Sequence, residues 1–252
     1  LALATLSALT ACGGGGGGEA AGSPAAAAPA PVAETARPLS VSGTVTGFGS
    51  VIIDGVKYDD SVVKVAVDNG GSQASPLPLG DLRLGMTVEA TVEAGKLTQV
   101  TVRAAMSGPI ERLDTSAGTF SIFGQTVKVV ASGATPTLFE GVSSLSSLAV
   151  NDRVEVHGIL DASRAVVATR VERKPLNSLE TGVRLGGAIT ALDAQTKTFK
   201  LNELTVDFAD ASLTPAGQVL ANGLEVLAFG NAAPAAGRFT AQTLRVRAAD
   251  EG

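Results

Sequence analysis

The chain repeats itself, and the repeat limits what it can fold into. SGPIERLDTSAGTFSIFGQTVKVV (Ser107 to Val130) returns as GGAITALDAQTKTFKLNELTVDFA (Gly186 to Ala209). Gly108, Asp114, Phe120 and Val127 fall opposite Gly187, Asp193, Phe199 and Val206. An earlier copy with a shorter opening turn, SGTVTGFGSVIIDGVKYDDS (Ser42 to Ser61), sets Val51, Ile53, Gly55 and Tyr58 against Phe120, Ile122, Gly124 and Val127. The second halves also correspond: LRLGMTVEATV (Leu82 to Val92), LAVNDRVEVHG (Leu148 to Gly158) and LANGLEVLAFG (Leu220 to Gly230). Each leads into a last alternating segment, at Lys96 to Arg103, Ala165 to Arg173 and Arg238 to Arg247. Units of this size bury a modest fraction of their surface alone, so neighbouring copies are expected to pack together.

The composition sets the class of these units. Aromatic residues make up only 4%, glycine numbers 30, and Val and Thr recur throughout, which favours short strands and tight turns over long helices. Each copy reads as three strands, a variable stretch ending in Leu-x-x-Leu, and two closing strands. In TFSIFGQTVKVV, Phe120 and Ile122 alternate with Ser121 and Phe123 across the strand. The expectation is an all-β chain of three tandem five-stranded OB-like barrels, with another small barrel or an open meander as the alternative. The boundaries follow: repeat one over 41–105, repeat two over 106–174, a linker over 175–185 and repeat three over 186–249.

Ahead of the repeats lies LALATLSALTA (Leu1 to Ala11), an apolar stretch of signal h-region length and too short to span a bilayer. No Lys or Arg precedes it, so the natural start is expected to lie upstream. The order of h-region, small residues and Cys12 resembles a bacterial lipobox, which implies acylation of Cys12 after cleavage behind Ala11. Residues 12–40 then form the tether. Gly13 to Gly18 gives a flexible coil, the Ala/Pro tract stiffens it, and the whole reaches about 30 Å. Gly13 stands where Asp often signals inner-membrane retention, which favours the outer membrane.

The openings and closings of the copies, SGTVTGFGSVIIDGVKYDDS, LRLGMTVEA, LAVNDRVEVHG and VVATRVE (Val166 to Glu172), resemble the bacterial domain-of-unknown-function 5666 family. The resemblance covers roughly Ser40 to Ala248 and is strongest in the first two copies. It implies tandem units in a predicted lipoprotein, and it implies no activity and no functional residues.

Charge and residue counts narrow the chemistry. The net charge is −5 and no basic run occurs, so nucleic acid is not an expected partner. One cysteine rules out an internal disulfide framework and thiolate-clustered zinc, and one histidine rules out a His-rich metal cluster. His157 could serve catalysis only beside a nucleophile and a carboxylate, and no Gly-x-Ser-x-Gly elbow appears. It reads instead as a strand residue facing solvent or a neighbouring unit. Asp59-Asp60 fits turn chemistry as well as paired-carboxylate hydrolysis, and Asp114 and Asp193 recur as turn caps. GTVTGFGS lacks the Lys-Ser/Thr of a phosphate loop, and YDDSVVKVAVDNGG lacks the alternating ligands of a calcium loop. No catalytic residue, metal or cofactor is assigned.

Binding is the leading expectation. OB-folds use the face of strands two and three, which here carries Ser121, Phe123, Gln125 and Lys128 in copy two and Lys200, Asn202, Thr205 and Asp207 in copy three. The chain is therefore expected to be a non-enzymatic envelope lipoprotein, held to a membrane by its lipid, that binds a protein or polysaccharide. A spacer or assembly element without a ligand is the second expectation, and an envelope hydrolase the weakest. Contacts between copies that use up this face would favour the spacer.

Overall fold

The computed structural model describes residues 37–70, 73–175 and 182–247. The h-region, Cys12 and nearly all of the tether lie outside them. No α-helix occurs among the described residues. The Leu-x-x-Leu stretches of copies one and two wind only into 3-10 turns, at Leu79–Asp81 and Leu145–Ser147.

Copy one supplies β1 (Leu39–Gly47), β2 (Ile52–Ile53), β3 (Val56–Lys57), β4 (Lys64–Val67), β5 (Ser75–Leu77), β6 (Thr87–Glu93) and β7 (Lys96–Val102). Copy two supplies β8 (Met106–Pro109), β9 (Arg112–Asp114), β10 (Thr119–Ile122), β11 (Gln125–Val129), β12 (Leu138–Glu140), β13 (Arg153–Leu160) and β14 (Val166–Arg173). Copy three supplies β15 (Val183–Ala188), β16 (Thr190–Asp193), β17 (Thr198–Leu201), β18 (Leu204–Asp207), β19 (Ser212–Thr214), β20 (Glu225–Gly230), β21 (Arg238–Thr240) and β22 (Thr243–Val246). Its first strand starts at Val183, inside the stretch expected to be linker.

One pairing scheme recurs. In copy two, β9 pairs antiparallel with β10 and β10 with β11. β11 runs parallel to β14, which pairs with β13, which returns to β8. Copy one repeats this through β1–β2, β2–β3, a single parallel bridge of Asp59 to Lys96, β6–β7 and β1–β6, and its parallel β4–β7 pair answers to β12–β14 of copy two. Copy three does so through β16–β17, β17–β18, the parallel β18–β21 pair, β20–β22 and β15–β20.

The expectation of three separate five-stranded barrels needs correction. The strands lie in sheets of seven, eleven and four, and the eleven-stranded sheet crosses from copy two into copy three. The crossing is β8 against β15, with Ser107 opposite Arg184 and Met106 opposite Leu185. Glycine permits it, because a Cβ at Gly186 would stand 2.7 Å from the Ala105 carbonyl oxygen. The interiors merge accordingly: one apolar core runs from Met106 and Phe120 through Leu185 and Phe199 to Leu244, while copy one keeps its own core around Val45, Ile53, Leu97 and Val100.

Two local features explain residues shared by the copies. The turn between the second and third strands is a two-residue hairpin in which both residues take positive φ, Asp54 (47°) and Gly55 (81°) in copy one and Phe123 (48°) and Gly124 (76°) in copy two. Phe123 is therefore a turn residue and does not alternate with Phe120 along the strand. Its ring folds back over the first strand, where a Cβ at Gly108 would come within 2.5 Å of it; the Asp54 carboxylate likewise covers Gly43. The second feature is the bend before strand four, where Gly85, Asn151 and Gly223 adopt φ of 80°, 73° and 91°.

Candidate functional site at the junction of the copies

The residues expected to line a ligand face are not one open surface. Ser121, Phe123 and Gln125 are buried, and Phe123 is spent on packing against Gly108. Gln125 Nε2 donates to the Leu201 carbonyl at 2.8 Å, and Asn202 Nδ2 donates to Gln125 Oε1 at 2.6 Å, so these two assigned residues meet each other across the copy boundary. Lys128 pairs with Asp161 at 2.6 Å and also donates to Ser163 Oγ at 3.0 Å. Asp207 pairs with Arg238 at 3.0 Å. Thr205 is half-buried, which leaves Lys200 as the exposed member of the set. Copies two and three meet across part of this face, at Gln125, Leu201 and Asn202.

Together with His157, polar side chains that sequence reasoning passed over gather where all three copies meet. From copy one come Asp68, Glu89 and Arg103; from copy two Glu155, His157, Glu172 and Lys174; from copy three Arg184 and Arg245. Asp68 is 1% exposed, with Oδ2 2.7 Å from Arg245 Nε and 3.5 Å from Arg103 Nε, while Arg103 also pairs with Glu89. The Asp68 carbonyl accepts from Arg184 Nη2 at 2.6 Å. Arg184 lies 3.4 Å from Glu155, which also faces Lys174 at 3.5 Å; Lys174 in turn pairs with Glu172 at 2.9 Å. Four carboxylates thus face four cations, the balance that burial demands. Burial acts to raise the Glu155 carboxyl, but His157, Arg184 and Lys174 outweigh it and hold it well below the usual carboxylate range.

Aromatic and glycine contacts seal the junction. Arg184 and Arg245 lie 5.3 and 5.8 Å from the ring centre of Phe229. That ring presses on Gly70, where a Cβ would stand only 2.5 Å from it, and Thr243 Oγ1 donates to the Gly70 carbonyl at 2.9 Å. Between copies one and two, Thr169 Oγ1 donates to the Gly85 carbonyl at 2.6 Å and Arg170 to the Leu84 carbonyl at 3.3 Å.

His157 completes this joint. It is fully buried, and its Nδ1 accepts the Thr87 backbone N–H at 3.2 Å. Nε2 lies 3.6 Å from Glu155 Oε1. Hydroxyl, imidazole and carboxylate are the parts of a nucleophilic triad, but Thr87 Oγ1 donates its proton to the Arg103 carbonyl at 2.5 Å and is itself buried. His157 therefore has no free hydroxyl proton to take.

The remaining candidates are turn chemistry. Asp59 accepts the Ser61 amide and pairs with Lys96 at 3.0 Å, while Asp60 accepts the Val51 amide. Asp114 accepts from the amides of Ser116 and Ala117, and Asp193 from those of Gln195 and Thr196. Among the described residues, no group of three or more His, Cys, Asp or Glu stands together as a metal site.

These features define a class: an all-β chain of several sheets that meet at a buried ionic junction. Residues 107–172, running from β8 into β14, match the family described as Domain of unknown function (DUF5666). No curated protein and no solved structure matches the chain.

Proposed function

We propose that this protein is a non-enzymatic, lipid-anchored component of the bacterial cell envelope whose three copies act as one structural body, a spacer or assembly element. The observation that carries this reading is the engagement of the candidate ligand face by the Gln125–Leu201 and Asn202–Gln125 hydrogen bonds. Of the two roles the sequence suggests, ligand module and spacer, an engaged face favours the spacer. Each copy is read as an OB-like unit fused to its neighbours; the support is a first strand pairing with the second and fourth while the third runs parallel to the fifth. The anchor rests on the order of h-region, small residues, Cys12 and glycine tether, and the outer membrane on Gly13.

A photo-crosslinker placed at Lys200 in the lipidated protein in intact cells tests the role. The spacer reading expects no discrete heterologous adduct, and a defined protein or glycan adduct at that position refutes it. Cys12→Ser is expected to release the chain from the membrane fraction, with loss of acyl mass on the N-terminal peptide. Unchanged fractionation refutes the anchor.

A further inference from the structure

We propose that His157 is a proton-operated latch that holds copy one to copy two while the imidazole is neutral and releases it on protonation. The Thr87 N–H points at Nδ1 from 3.2 Å, so this nitrogen presents its lone pair and the ring proton sits on Nε2, toward Glu155. A proton added at Nδ1 turns the acceptor into a donor, and two N–H groups then face each other inside a fully buried joint. The Thr87 hydroxyl oxygen, also 3.2 Å away, can receive the new proton, but that leaves the Thr87 amide without an acceptor.

The surroundings add to the effect. Glu155 on β13 already faces Lys174 beyond β14 and Arg184 on β15. Arg170 on β14, in register opposite His157, pairs with Glu140 and donates to the Leu84 carbonyl of copy one. On the copy-one side, Arg103 is paired with Glu89 and Asp68. With the charges of the junction balanced four against four, an imidazolium adds a fifth cation beside Glu155, which already answers Arg184 and Lys174. The bond it breaks is a direct link between β6 of copy one and β13 of copy two, so release separates those copies first. The β10–β11 hairpin within copy two is not involved.

His157 is the single histidine in the chain, so its imidazole signals can be followed without ambiguity in the full protein. The experiment records imidazole ¹⁵N shifts and amide-exchange protection factors together as pH is lowered. The Thr87 protection factor is expected to fall roughly tenfold or more as the imidazole protonates, while β10–β11 amides keep theirs. Unchanged Thr87 protection across imidazole protonation overturns the proposal. So does an imidazole that stays neutral until every amide loses protection at once. His157→Gln keeps an acceptor for Thr87 and a donor for Glu155 but does not titrate. It is expected to hold Thr87 protected through the same pH range, and an unchanged acid release in His157→Gln refutes the latch. Should that variant fail to fold, the wild-type titration decides alone.

Discussion

Asp68→Asn tests whether the ionic junction holds the copies together. The change keeps volume and keeps Oδ1 as the acceptor for the Gly70 amide, 3.0 Å away, so the local turn survives. What it removes is the charge on Oδ2, which answers Arg245 at 2.7 Å and Arg103 at 3.5 Å from a side chain 1% exposed. Arg103 retains Glu89, and Arg184 retains Glu155 and the Asp68 carbonyl. The loss therefore falls at the lower end of the range for breaking a buried pair, about 3 kcal/mol. For a body of this size that corresponds to a Tm lower by about 6–12 °C. Urea unfolding is the assay, with the midpoint expected to fall at an unchanged m-value. Asp161→Asn, which breaks the more exposed Lys128 pair, is the comparison and shifts the midpoint far less. A loss for Asp68→Asn below about 1 kcal/mol, the value of a surface pair, refutes the claim that the junction organises the fold.

Two further outcomes follow from local geometry. Hydrogen bonds from the Ser61 hydroxyl and amide, with Lys96, hold the Asp59 carboxyl down at about 2. Because its folded value lies below its unfolded one, its stabilisation is present above about pH 4 and is lost as pH falls toward 2. Asp59→Asn should therefore flatten the acid limb of stability in that window, and carboxyl ¹³C shifts of the wild type should titrate near 2. Gly85→Ala and Gly55→Ala form a matched pair, since both sites have φ near +80°, but a Cβ at Gly85 would stand 2.7 Å from the Thr169 carbonyl whereas Gly55 has open space. Gly55→Ala should cost about 1–2 kcal/mol by chemical denaturation, the backbone penalty alone, and Gly85→Ala measurably more because it wedges copies one and two apart. Equal losses contradict that account of the joint.

What could be read from the sequence is what the copies share. The first-strand glycines, the Asp114 and Asp193 turns and the two closing strands all sit at repeated positions, because each unit must solve the same local problem. The joints could not be read this way. Arg184 and Arg245 are single charges in strands and Asp68 directly follows β4, and alternation within one strand cannot reveal what covers its outer face. Phe123 was misplaced for a related reason: Gly124 announces a turn, but nothing in the sequence says that an aromatic residue takes the left-handed position before it. Its ring is accommodated only because Gly108 leaves room, a contact between positions fifteen residues apart. The ligand face inferred from copies two and three depended on those strands being free on one side, and the Gln125–Leu201 and Asn202–Gln125 hydrogen bonds between the copies engage part of it.

The joints sit where the copies differ, and this makes a prediction. In the aligned fourth strands, Val88, Val154 and Val226 agree and are all buried, whereas Thr91, His157 and Phe229 share one position and differ completely. His157 closes the joint of copies one and two, and Phe229 the joint of copies one and three. Phe229→Thr installs the copy-one residue in copy three. It empties the space between Gly70 and the two guanidinium groups, a loss of about 3–5 kcal/mol for a buried ring. Because Thr is native at this position in a sister strand, the β15–β20 ladder should keep its amide protection. Stability should fall while m stays constant, and protection should drop first at Gly70, whose contacts reach Phe229 and Thr243. If the β15–β20 ladder unravels instead, position 229 belongs to the interior of the unit, and the division between shared residues that build the units and unshared residues that join them does not hold.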